Sequence, residues 1–169
     1  MVKNGFHMIF RGRFLRSVDT KGRLILPQEL REAMAAQPEV ENTSPSLPVR
    51  TKESFMLTTY DNCLVAYRLE DWMELEKKFM KIFNPSPRVR AFRRLVIGGA
   101  ELQCPDAQGR ILLSPDHRAY AKIDREATIL GLVEHFEIWN PSLLRTSMSS
   151  ENLEGVSEEL AATGINFSL

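Results

Sequence analysis

Short apolar segments alternate with tight turns along most of the chain. A strand is predicted over Ile9–Val18, which is rich in β-forming residues and runs into an Asp-x-x-Gly-Arg turn at Asp19–Arg23. Glycine permits the positive φ of such a turn, and the aspartate bonds to backbone amides ahead of it. The apolar run Leu24–Leu26 predicts a second strand, and Pro27 suits the first turn of a short helix. Two more strands follow, the second at Cys63–Tyr67, so the pattern predicts a β-β-α-β-β unit.

The same unit recurs later in the chain. Asp106–Arg118 repeats the Asp, the Gly, the Arg, three aliphatic residues, an acid and a final Arg of Asp19–Arg31, at a constant offset of 87 residues. A strand is predicted before it at Ala100–Cys104, and Ser114 is the predicted N-cap of the helix that follows it. His135–Trp139 matches Cys63–Tyr67 at an offset of 72 residues, so the first copy holds 15 more residues than the second. The chain is a tandem duplication.

Helical spacing of apolar residues occurs outside the two units. It predicts one helix over Leu69–Phe83, a second over Arg88–Ile97 and a shorter one over Pro141–Met148. Asn84 to Pro87 contain two prolines, which separate the first two helices.

These breaks define three regions. Residues 8–83 hold the first unit and its following helix, with a loop insertion at about 37–51 that is rich in Pro, Ser and acidic residues. Residues 84–148 hold the connecting helix and the second unit. Residues 149–169 show little periodicity and are predicted to be a flexible acidic tail.

A net charge of zero conceals a polarised distribution. Up to Arg31 there are two acidic residues against seven basic ones, which are Lys3, Arg11, Arg13, Arg16, Lys21, Arg23 and Arg31. The stretch Arg88–Arg94 adds four arginines, whereas the chain after Arg145 has four glutamates and no Lys or Arg. A basic head with an acidic tail favours a polyanion-binding surface on a neutral body.

Several function classes are disfavoured by what the sequence contains. No apolar run approaches the roughly 18 residues of a membrane helix, and the N-terminus has no signal-peptide pattern, so we expect a cytoplasmic protein without a membrane partner. Cys63 and Cys104 lack C-x-x-C spacing and are expected to be free thiols. Trp72, Trp139 and Tyr67 lie at core-like positions, so we do not interpret them as a base-stacking platform.

Enzymatic motifs are missing from the sequence. His7, His117 and His135 form no H-x-x-x-H pair, and neither a G-x-S-x-G elbow nor a P-loop occurs. We therefore expect no catalytic residue, no cofactor, no metal site and no small-molecule substrate.

The first turn and the strand before it contain side chains suited to DNA. Arginine reads guanine O6 and N7 in the major groove, which is our interpretation of Arg23. By strand alternation Arg11 and Arg13 share one face, where they would hold phosphates. Asp19 would fix the turn and orient Arg23 by an ion pair. The candidate DNA-binding residues of this turn and ribbon are Arg11, Arg13, Arg16, Asp19, Lys21, Gly22 and Arg23.

The second turn has the same frame and weaker charge. Its candidate residues are Asp106, Gly109 and Arg110, but Gln108 stands where the first copy has Lys21, and Glu101 and Gln103 precede it. For both turns a structural β-turn with an exposed salt bridge is an open alternative. The flanking charge favours DNA contact at the first turn, and the second contributes in the same way, more weakly, or mainly completes the fold.

At these residues the sequence resembles the MraZ family, within the AbrB-like (SpoVT-AbrB) DNA-binding domains. The resemblance runs from about Phe10 to Leu144. The matching segments are Phe10–Gly12, Ser17–Pro27, Cys63–Leu64, Tyr67, Ala91–Leu95, Gly98–Ala100, Asp106–Leu113 and Phe136–Trp139. The insertion at about 37–51 and the long acidic tail depart from the family pattern.

The resemblance implies an α+β, mainly β fold. Two swapped-hairpin β-barrel halves would form an intramolecular pseudo-dimer with peripheral helices, and subunits would associate into a ring-like homo-oligomer. It implies a nucleoid-associated regulator of the bacterial cell-division and cell-wall gene cluster that binds repeated promoter elements in double-stranded DNA through its Asp-x-x-x-Arg turns. By motif match, Arg23 and Arg110 are the contact residues, partnered by Asp19 and Asp106.

A different function class is open beside this one. The acidic, partly apolar tail Glu151–Leu169 is suited to folding on a protein partner, as in an AbrB-like antitoxin or scaffold. Deletion of the tail discriminates between the two hypotheses.

Overall fold

A computed structural model describes residues 9–36 and 51–165 of the chain. The first copy forms β1 (Arg13–Ser17), β2 (Arg23–Ile25), α1 (Gln28–Ala35), β3 (Phe55–Tyr60) and β4 (Cys63–Arg68). The connecting helices are α2 (Leu69–Met80) and α3 (Pro87–Val96). The second copy forms β5 (Glu101–Gln103), β6 (Arg110–Leu112), α4 (Pro115–Ala121), β7 (Glu126–Leu132) and β8 (His135–Trp139), followed by α5 (Pro141–Ser147), α6 (Ser150–Leu153) and α7 (Val156–Ala162). The predicted β-β-α-β-β unit is confirmed in both copies.

The two copies exchange strands. One antiparallel sheet has the order β1-β7-β8-β4-β3-β5, and β2 and β6 form a second, two-stranded sheet. The first strand of each copy thus pairs with the other copy's hairpin. Within the described residues, no strand of one sheet pairs with a strand of the other. The fold is the α+β, mainly β pseudo-dimer that the resemblance implied.

The pairing registers obey a two-fold symmetry. Leu15 of β1 pairs with Thr128 of β7. The equivalent of Leu15 in the second copy is Leu102, the equivalent of Thr128 in the first copy is Met56, and these two residues also pair. Leu24 lies opposite its own equivalent, Ile111, at the centre of the small sheet. The pseudo-two-fold axis therefore passes through the middle of the β2–β6 pair.

Side chains from both copies fill one core. Phe10 and Phe55 of the first copy contact Phe136 of the second edge to face, with ring centroids 5.5 and 5.3 Å apart, and Leu24 and Ile111 close the same cluster from the small sheet. A shared core means that neither copy buries its apolar face alone.

The predicted core aromatic residues and thiols lie largely as expected. Trp72 and Trp139 are buried and Tyr67 is half-buried, which confirms their assignment to packing. Cys63 is buried and Cys104 half-buried, and both are free thiols. Burial raises the pKa of the Cys63 thiol, so this thiol stays protonated at neutral pH.

Local boundaries differ from the sequence-based expectations most clearly in three places. The strand predicted over Ile9–Val18 is shorter, because Gly12 adopts a φ of 97° and only an isolated bridge at Phe10 precedes β1. The helix predicted to Phe83 ends at Met80. The tail, where the sequence shows little periodicity, contains two short, exposed helices, α6 and α7.

Ser114 caps α4 as predicted, with its hydroxyl accepting from the amide of His117 at 3.2 Å. The predicted insertion at 37–51 lies, apart from Thr51, outside the described residues. Among the residues described, no helix is long and apolar enough to cross a membrane.

Candidate nucleic-acid interface

The first turn is organised by the carboxylate of Asp19. One oxygen accepts from the backbone amides of Lys21 and Arg23, each at 2.9 Å, and the other accepts from Arg23 Nε at 2.8 Å. The amide of Gly22 donates to the carbonyl of Asp19 at 2.9 Å, and Gly22 itself has a left-handed φ of 84°, a conformation that glycine adopts readily. The turn therefore fixes both the backbone and the side chain of Arg23.

The second turn has the same geometry. Asp106 accepts from the amides of Gln108 and Arg110 at 2.9 Å and from Arg110 Nε at 2.6 Å, and Gly109 has a φ of 77°. The ion-paired side chains are about equally exposed in the two turns, at 41% and 41% in the first and 41% and 40% in the second. Any functional difference between the turns must come from their surroundings.

The aspartates are held as carboxylates. Hydrogen bonds from the Arg23 backbone amide, first, and from its side chain, second, lower the pKa of Asp19. The equivalent bonds from Arg110 lower the pKa of Asp106. Each ion pair occupies only the Nε donor, and within the described residues the terminal Nη nitrogens of both arginines bond to no side chain or backbone group. Two parallel donors on each arginine thus remain for a ligand.

The small sheet brings both arginines to one surface. Arg23 lies opposite Leu112, and Arg110 opposite Ile25. Residues opposite each other in an antiparallel pair share a face, and here the other face, with Leu24, is buried. Arg23 and Arg110 are diagonal neighbours on the exposed face, roughly 7–8 Å apart at the backbone. The sequence analysis identified each turn but missed this shared surface. Its signal in the sequence is the middle residue of each aliphatic triplet, Ile25 or Leu112, which strand alternation places on the same face as the turn arginine.

Each turn is held in place by the opposite copy. The amide of Leu113 donates to the carbonyl of Gly22 at 2.9 Å, and the amide of Leu26 donates to the carbonyl of Gly109 at 2.9 Å. A Cβ on Gly22 would lie 2.9 Å from the Leu113 carbonyl oxygen. Gly22 is therefore required both by its φ and by this close approach, whereas a Cβ on Gly109 would meet the side chain of Arg31, 2.7 Å from Nη1.

The final arginine of each repeat lies beside the turn of the other copy. Arg31 is next to Gly109 and Arg118 is next to Gly22. Arg31 is neutralised by a bidentate bond to Glu53 at 2.9 and 3.2 Å.

Arg31 and Arg118 differ in whether an acidic side chain neutralises their charge. Glu53 belongs to the first copy, and the equivalent position of the second copy, 72 residues later, is occupied by Arg125. In the part of the chain that the structure describes, Arg118 has no ion pair, and its Nε is buried without a hydrogen-bond partner. Lys21 and an uncompensated Arg118 therefore surround the first turn, whereas Gln108 and a neutralised arginine surround the second.

The remaining predicted residues lie on β1, except Arg11, which precedes it on the other side of Gly12, and one part of the prediction is wrong. β1 and β2 belong to different sheets, so Arg11, Arg13 and Arg16 do not share a ribbon with Arg23. Arg13 lies six residues before Asp19, about 20 Å along an extended chain. Strand alternation places Arg16 on the opposite face from Arg13, with its guanidinium 5.5 Å from the ring of Phe14. Local sequence could not reveal this, because the partner of β1 is β7, more than 100 residues away.

The described residues contain no group of three or more His, Cys, Asp or Glu side chains placed to hold a metal ion. Of the predicted positions, the structure brings Asp19, Lys21, Gly22 and Arg23 together with Asp106, Gly109 and Arg110 at the two ends of one short ribbon.

Comparison with known proteins gives a consistent result. The family model of the MraZ protein, which carries an antitoxin-like description, matches the chain twice, at residues 9–95 and 96–161. A protein of Oleidesulfovibrio alaskensis named transcriptional regulator MraZ is 44% identical over 95% of this chain and 99% of its own length. A protein of the same name from Nitratidesulfovibrio vulgaris is 41% identical over 95% of this chain and 99% of its own length. Another, from Thermomicrobium roseum, is 36% identical over 92% of this chain and 92% of its own length.

Proposed function

Because the chain belongs to the MraZ family of transcriptional regulators, we propose that it binds specific double-stranded DNA through its two Asp-x-x-x-Arg turns. The observation that carries the proposal is the placement of Arg23 and Arg110 on one exposed face of a two-stranded ribbon. A ribbon of this kind fits the major groove, which is about 12 Å wide. The free Nη donors of each arginine match the O6 and N7 acceptors of guanine.

The first turn makes the stronger contact. Lys21 and Arg118 add positive charge beside Arg23, and phosphate contacts by such side chains set the register of a protein on DNA. The equivalent charges beside Arg110 are replaced or neutralised. Arg13, at the start of β1, and Arg11, two residues before it, contact phosphates outside the bases that the ribbon reads, and Arg16 contributes to the same positive field.

Self-association into a ring-like homo-oligomer multiplies these contacts. Apolar side chains near the end of α2 support it, since Met80, Ile82 and Phe83 lie within four residues of one another and are 73%, 40% and 96% exposed, and groups of exposed apolar side chains are typical of interaction surfaces. Turns linked in a ring act at high effective concentration along repeated promoter elements. The targets are the promoter repeats of the bacterial cell-division and cell-wall gene cluster, and the protein is associated with the nucleoid.

Unbiased selection of bound genomic fragments tests this function, with the variants Arg23→Lys and Arg23→Ala as matched controls. Arg23→Lys keeps the charge but loses the bidentate geometry, so it should lose about 5- to 100-fold in affinity for the selected site. The slope of log K against log salt should stay steep.

Arg23→Ala should lose at least as much affinity as Arg23→Lys and reduce the salt slope. Arg110→Ala should lose less than Arg23→Ala in gel-shift titrations at fixed salt. Random recovery of fragments by the unaltered protein, or equal binding by all of these variants, would reject the proposed function.

A further inference from the structure

Two large aliphatic side chains lie exposed in the middle of the candidate interface. Ile25 is 51% and Leu112 is 54% exposed, whereas their strand neighbours Leu24, Leu26 and Ile111 are buried. Neither side chain contributes to the core, and polar residues are the usual choice on the solvent face of a strand. Their exposure on a surface of arginines suits a ligand with an apolar part.

The pseudo-two-fold symmetry repeats this arrangement. Ile25 and Leu112 occupy the same position of the two repeats, and each lies directly opposite the turn arginine of the other repeat. Opposite side chains in such a pair have Cβ atoms roughly 4.5–5.5 Å apart. The surface therefore consists of two adjoining units, each an arginine beside an aliphatic side chain.

DNA offers a matching pair of groups. In the major groove guanine presents the O6 and N7 acceptors, and the C5 methyl of thymine is the apolar group that aliphatic side chains contact. The two arginine–aliphatic units are two residues apart along the strands, roughly 7 Å, which corresponds to about two base steps at 3.4 Å each.

We propose that Ile25 and Leu112 contact thymine C5 methyl groups and make thymine, beside guanine, a requirement of the DNA site. The inference rests on the proposed DNA-binding function and adds a second determinant of specificity to it. It assigns the apolar half of the recognition to residues that carry no charge. The contacts therefore change sequence preference without changing the electrostatic attraction to DNA.

Deoxyuridine substitution in the bound DNA tests the proposal. Deoxyuridine lacks only the C5 methyl of thymine and keeps every hydrogen-bonding group. With the unaltered protein and a selected fragment, replacing each thymine in turn should weaken binding about fourfold at the contacted positions, the effect of burying one methyl-sized group. Ile25→Ala should abolish the sensitivity at one of these positions and Leu112→Ala at the other, with an unchanged salt slope.

The outcomes separate this inference from the proposed function. If the fragment binds with dependence on Arg23 and no deoxyuridine replacement changes its affinity, the methyl contact is refuted while DNA binding stands. If the methyl sensitivity persists in both alanine variants, Ile25 and Leu112 are not the contacting groups. A change in oligomeric mass in Ile25→Ala, with methyl sensitivity retained, would identify this face as a contact between copies and overturn the proposal.

Discussion

Substitution of Gly22 by alanine probes the turn most directly. An alanine there would have to keep a φ of 84°, which costs roughly 1–2 kcal/mol for an L-residue. Its Cβ would lie 2.9 Å from the Leu113 carbonyl oxygen and 3.0 Å from Arg118 Nε. The backbone oxygen can move away only by weakening the bond from the Leu113 amide to Gly22, which is worth about 1 kcal/mol. We therefore expect Gly22→Ala to lower the free energy of unfolding by about 2–3 kcal/mol.

The Gly22→Ala variant should still fold, because native domains are stable by about 5–15 kcal/mol, so its lower free energy of unfolding can be measured. Urea denaturation should show a lower midpoint, and the melting temperature should fall by about 4–12 °C. Gly155→Ala is the matched control, because Gly155 also has a positive φ, 76°, but no atom within 4 Å of an added Cβ. We expect a loss of about 1–2 kcal/mol there, from the backbone conformation alone. Equal losses in the two variants, or none in Gly22→Ala, would refute the role of the close approach across the two copies.

Three further predictions concern charge and the tail. Gln108→Lys gives the second turn the cation of the first, so it should raise the salt slope of DNA binding by about one; an unchanged slope would mean that this turn lies away from phosphate. Because the folded-state pKa of Asp19 is lowered, its ion pair should be fully present above the ordinary pKa of 3.8 and be lost only as the pH falls through the lower folded value. The amide resonances of Lys21 and Arg23 should accordingly titrate below pH 3.8, and a midpoint above it would contradict the geometry of the turn. Deletion of residues 149–169 should leave DNA affinity unchanged in a gel shift, since this segment carries four glutamates and no Lys or Arg; loss of a co-purified protein partner with DNA binding intact would support the interaction-module hypothesis.

Local chemistry made much of the fold predictable. The Asp-x-x-Gly-Arg turns, the cap at Ser114 and the apolar runs of both hairpins each depend on residues close in sequence, and the offset of 87 residues exposed the duplication. The structure differs where distant residues decide. The partner of β1 is β7 rather than β2, so the basic ribbon inferred from Arg11, Arg13 and Arg16 does not form.

The uneven charge of the two turns also depends on long-range packing. The sequence already shows Lys21 against Gln108, and this difference indicated the stronger first turn. The contribution of Arg118 is invisible locally, because this residue lies in the second repeat and acts at the first turn. Its unneutralised state follows from the replacement of Glu53 by Arg125 at the equivalent position, which matters only once the strand exchange is known.

The exchange of strands has a genetic consequence. The carbonyl of each turn glycine is bonded by the opposite copy, so a substitution in one repeat is expected to have its phenotype at the other repeat's turn. Arg31 variants should resemble lesions at Gly109, and Arg118 variants should resemble lesions at Gly22. Suppressor mutations should likewise map across the duplication rather than beside the original change. Such intragenic epistasis couples the two copies, so that a change in one repeat is selected together with its effect on the turn of the other.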